Sequence, residues 1–86
     1  MPATFAIDEV TKQGTLSIRK GGPRISSKNA GGVTVYYDAS GQMVDMVFPN
    51  VLGTVMNLGL VTFESAEIKR HVTSLLDNHG RIKYVR

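Results

Sequence analysis

The sequence predicts a single α+β domain: an antiparallel sheet of four to five strands with one main C-terminal helix packed on it. Three observations predict it. The stretches 4–10 and 15–19 alternate apolar and polar residues on either side of a polar, glycine-ended turn. The stretch 33–48 repeats that plan around Asp38-Ala39-Ser40-Gly41. From Ser65 to Asn78 the apolar residues switch to helical spacing. Alternation marks a strand with one apolar face, and a stripe every three to four residues marks a helix. Runs of strands followed by a helix point to α+β.

In the first hairpin, Phe5 and Ile7 share one face of the leading strand, and Leu16 and Ile18 share one face of its partner. Thr11-Lys12-Gln13-Gly14 suits the turn. In the second, Val33, Val35 and Tyr37 share a face. β-Branched and aromatic residues dominate that strand, as a pleated half-buried surface favours. Asp38 can bond the backbone ahead of it, and Gly41 can take the positive φ that closes the hairpin. The returning strand, 42–48, has Val44, Met46 and Phe48 on one side and Met43, Asp45 and Val47 on the other. Apolar residues on both sides predict cover on both faces, by helices or by a second subunit.

Pro49 stops that strand. Between 50 and 58 the pattern fits either a short helix capped by Asn50 or a bent strand. Ser65 is the predicted N-cap of the main helix, with Glu67 in the first turn, where negative charge is favoured. Ile68, Val72, Leu75 and Leu76 form its apolar stripe, and Gly80 sits where a C-terminal cap belongs. Ile82 to Val85 reads as a closing strand. The expected order is ββ-loop-ββ-(α)-α-β.

The stretch 20–32 reads as a flexible basic loop rich in glycine and serine. It holds four glycines, Pro23, Ser26 and Ser27, and shows no periodicity. Loops of this length are often functional. Glycine-freed amides and cations can together hold an anion. From Glu9 to Asp38 there are five basic residues and no acidic one: Lys12, Arg19, Lys20, Arg24 and Lys28. Arg81, Lys83 and Arg86 form a second basic group. Arg19, Lys20, Arg24, Lys28, Arg81 and Lys83 are therefore the candidate anion or nucleic-acid ligands. Tyr36, facing away from Val35, is a candidate base-stacking platform. Neither nucleotide-binding glycine fingerprint is present.

The 86-residue chain leaves no room for a second core, and it buries only about 60% of its unfolded surface. It is 42% hydrophobic, 20% charged and formally +3. That is ordinary globular usage and argues against wholesale disorder. With no cysteine, thiolate zinc sites, disulfides and cysteine nucleophiles are excluded. His71 and His79 lack the spacing of a metal pair, so no metal or cofactor is expected. The start of the chain, Met1-Pro2-Ala3-Thr4, has neither the basic start nor the apolar core of a secretory signal, and a cytoplasmic location is expected. The uncharged run from Met46 to Thr62 is interrupted by proline, asparagine and glycine, so no membrane span is expected.

Met43, Val47, Val51, Leu52, Val55 and Met56 are candidate self-association residues, because a chain this short has trouble covering so much apolar surface. A homodimer or other homo-oligomer is expected. The leading functional expectation is a small non-catalytic binding or accessory module acting through protein–protein contacts. The alternative is a nucleic-acid or phosphate-binding protein using the 19–28 loop. A pocket-based activity would look first to Asp45, His71 and Tyr36, although no spacing brings them together.

Overall fold

The structure, a computed structural model, describes residues 3–19, 21–51, 53 and 55–83. Five strands form one antiparallel sheet: β1 (Thr4–Ile7), β2 (Gly14–Ser17), β3 (Ser26–Ala30), β4 (Val33–Tyr37) and β5 (Met43–Phe48). A 3₁₀ turn (Leu58–Leu60) and one α-helix, α1 (Ala66–Ser74), follow. The α+β expectation holds.

The strand order is β1-β2-β5-β4-β3, so β5 enters between the two hairpins and becomes the centre of the sheet. Its register runs Leu16↔Met46 on one side and Val35↔Met46 on the other. Central placement explains why all six of its residues are buried. One face of the sheet carries the core. There Leu16, Val33, Val35, Met46 and Phe48 pack beneath Val51, Met56, Val61, Val72 and Ile82. Phe5 meets Phe48 edge-on at 5.7 Å. Gly14 makes room for this: a Cβ there would lie 2.6 Å from the Phe5 ring.

A bulge changes the predicted faces of β5. Tyr37 pairs with Met43 and Tyr36 with Asp45, which leaves Val44 as the extra residue. The amides of Ile18 and Arg19 both donate to the Val44 carbonyl, at 2.8 and 3.1 Å. An inserted residue reverses the alternation beyond it. Met43 therefore joins Met46 and Phe48 in the core cluster, while the buried Val44 and Val47 lie outside it.

The stretch read as a loop over 20–32 contains strand β3. Ser26 pairs with Tyr37 and Ala30 with Val33, closed by Gly31 and Gly32 at φ 61° and 89°. Two consecutive positive φ values make the tight turn whose twist suits a hairpin. The backbone of Asn57 crosses so close to Gly31 that a Cβ there would collide with the Asn57 carbonyl. β3 escapes periodicity because it is an edge strand with four of its five residues exposed.

The segment 50–58 is neither helix nor strand among its described residues; only its end enters the 3₁₀ turn, capped by Asn57. Helix α1 starts as predicted, with the Ser65 hydroxyl accepting from the Ile68 amide at 3.2 Å. It ends at Ser74 rather than near Asn78. The Asp77 carboxylate accepts from the amides of His79 and Arg81, winding 77–81 into a turn. The chain then comes back on itself: Leu76 and Ile82 form an isolated bridge, and Lys83 donates to the Leu75 carbonyl. Of the predicted closing strand, Ile82 makes that bridge, and Tyr84 and Val85 lie outside the described residues.

Candidate functional site

The basic run does not lie on one surface. Arg24 reaches over the sheet face opposite the core. Its Nε donates to Asp45 Oδ2 at 2.7 Å, and its guanidinium stacks 4.1 Å above the Tyr36 ring. Asp45 and Tyr36 face each other across β5 and β4. The carboxylate is nearly buried, and pairing is what makes such a position tolerable for a charge. Gly22, in the same strap between β2 and β3, lies against Val44 of β5, close enough that a Cβ on it would approach Val44 Cγ1 to 3.3 Å. Asp45, the one acid of the central strand, thus pairs with Arg24.

Arg19 is used elsewhere. Its guanidinium donates to the Met43 carbonyl and pairs with Glu64, both at 2.6 Å. Glu64 in turn accepts from the Met43 amide at 3.1 Å. Arginine and glutamate together hold both backbone groups of Met43 and tie the approach to α1 to the sheet. They also line an open groove of about 790 Å³ with Ile18, Gln42, Ser65 and Ile68.

Lys12 pairs with Glu9 at 3.6 Å. Lys28 is exposed on β3, in the register row of Val35 and Met46, and so points to the side opposite Arg24. Arg81 and Lys83 are exposed beyond the C-terminal end of α1. Lys20 and Arg86 lie outside the described residues. The candidate anion ligands are therefore divided among both faces and both ends of the helix. The face of Tyr36 proposed for base stacking is covered by Arg24. His71 is on α1, across the sheet from Asp45 and Tyr36. Among the described residues, no group of three metal-ligating side chains comes together.

The self-association candidates divide as well. Met43, Val51 and Met56 are buried in this chain's own core, and Val47 is buried on the outer face between Thr15 and Thr34. Leu52 lies outside the described residues. Val55 remains 56% exposed; Leu60, Val10 and Ile25 are further exposed apolar residues, Leu60 at 65%. Periodicity could not single out Leu60, because it sits in a 3₁₀ turn. Val55 and Leu60 flank a crossing in which Met56 donates to Gly80 and Asn57 to Gly31.

Three aspartates cap turns, and each is held below the usual carboxylate range. For Asp8 the main cause is the Thr11 amide, followed by that of Val10. For Asp38 it is the Ser40 hydroxyl, followed by the Gln42 amide. For Asp77 it is the Arg81 amide, followed by that of His79. Hydrogen bonds to the charged form favour it. These acids serve turns.

Comparison with protein-family models, with curated proteins and with solved structures finds no match to this chain. Among the described residues, no helix is long and apolar enough to cross a membrane.

Proposed function

We propose that this protein is a small non-catalytic binding module that works through protein–protein contact, self-association included. One contrast carries the reading. The two arginines best placed for an anion are held by Glu64 and Asp45, whereas Val55 and Leu60 stand exposed before and after the Met56–Asn57 crossing. Paired cations add little to an anion site, while exposed apolar side chains gain from being covered. The surface is narrower than the run of apolar residues suggests, since most of that run fills the core. A cysteine-free chain of this size suits the cytoplasm, with association adding stability that disulfides would otherwise supply.

Sedimentation equilibrium of the full chain from micromolar to millimolar concentration tests this. The expected result is a mass rising towards twice that of the chain. Val55→Asp with Leu60→Asp should weaken association at least about 10-fold, given about 1.5 kcal/mol or more for covering such side chains. A wild-type monomer at every concentration would overturn self-association. Unchanged association in the double variant would remove this surface from the account.

A further inference from the structure

We infer that Asp45 and Tyr36 form a receptor site for an arginine side chain, which Arg24 fills from within the chain and an external arginine enters by displacing it. Its two halves are unequally fixed. Asp45 lies in the central strand with its side chain 12% exposed, and Tyr36 stands opposite it on β4. Both are held by sheet pairing on two sides. Arg24 lies in the irregular strap between β2 and β3, and its side chain is 45% exposed.

The strap is tied to the chain on either side of Arg24 by backbone bonds, Gly22 to the Arg19 carbonyl at 3.0 Å and Ile25 to the Tyr37 carbonyl at 2.8 Å. The Arg24 side chain can therefore rotate outward without unpairing the sheet. It gives Asp45 one N–H, and its terminal nitrogens hydrogen-bond to no other group among the described residues. A carboxylate beside an aromatic face selects a planar, delocalised cation over a compact ammonium. With Arg24 turned away, Asp45 would be a nearly buried charge without a partner, and that favours uptake of another guanidinium. The site involves neither Val55 nor Leu60, so it stands apart from the self-association surface.

The test is an NMR titration of the full-length Arg24→Ala variant with N-acetyl-arginine methylamide and with free L-arginine, following the Tyr36 ring and the Asp45 amide. Saturable shifts are expected in the low millimolar range. Wild type should need at least about 2-fold more probe, because a tethered side chain at an effective concentration of roughly millimolar or above competes with a probe that binds in the same range. Arg24→Ala combined with Asp45→Asn should show no saturable shift. Equal binding of the two probes assigns recognition to the guanidinium alone, and tighter binding of the methylamide assigns it to arginine within a peptide chain. Absence of saturation with both probes, or the same response after Asp45→Asn, would overturn the site. Arg24→Gln, neutral and able to hydrogen-bond Asp45, gives the same reading if Arg24→Ala does not fold.

Discussion

Arg19 and Arg24 leave the same acid-free run and reach different parts of the fold. Arg19 joins Glu64 in gripping both backbone groups of Met43, with side chains 37% and 25% exposed. Arg24 makes one hydrogen bond to Asp45 and a stack on Tyr36, and the acid is far more buried than the base. The first pair has more bonds; the second leaves the more deeply buried charge. Counting bonds would rank the Arg19 pair as the stronger support. Desolvation ranks them the other way, because what is stranded after a deletion decides its cost.

The largest effect should therefore come from Arg24→Ala. It strands Asp45, and about 2 kcal/mol of stability should be lost, less than for a fully buried pair because Arg24 is itself half exposed. Urea unfolding measures it. Adding Asp45→Asn removes the stranded charge, so the double variant should recover about 1 kcal/mol relative to Arg24→Ala. A double variant no more stable than the single one would refute the buried-charge account.

Glu64→Ala should cost less, about 1 kcal/mol, although it removes two contacts. Arg19 then turns to water and still donates to Met43. The sharper readout is local: hydrogen exchange at the Met43 amide should accelerate in Glu64→Ala beyond the change at neighbouring core amides. In Arg24→Ala it should follow the global loss only. Equal local acceleration in both variants would erase the distinction between the pairs.

What could be read in advance follows the range of the interactions. The Asp38–Gly41 turn and the Ser65 cap were legible because donor and acceptor lie within four residues. The second hairpin was legible because its strands alternate and its turn residues are specific. β3 was not, since an exposed edge strand needs no apolar face; only Gly31-Gly32 could have marked it. The bulge at Val44 was hidden because it is set by pairing with residues on two other strands. The partner of Asp45 was hidden for a related reason. Arg24 is 21 residues away, and the central position of β5 that brings them together is a property of strand order.

The smallest effect separates both long-range pairs from the local caps. Asp38 is held below its ordinary value first by the Ser40 hydroxyl, with the Gln42 amide next and Arg19 a minor contributor. A carboxyl depressed in the folded state contributes stability that is present above its unfolded value of about 3.9 and is lost as pH falls through the lower folded value. Asp38→Asn keeps an acceptor oxygen but cannot titrate. Its deficit against wild type should be steady at neutral pH and shrink as pH falls below about 4, when wild type becomes protonated. Because the cause is hydrogen bonding at short range, the neutral-pH deficit should survive 0.5 M salt, about five times the ionic strength at which the screening length is about 10 Å. Urea unfolding from pH 7 to pH 2.5, at low and high salt, measures both. A deficit that salt abolishes at pH 7 would move Asp38 from turn cap to surface charge, and the contrast between local caps and long-range pairs would fail at its most legible residue.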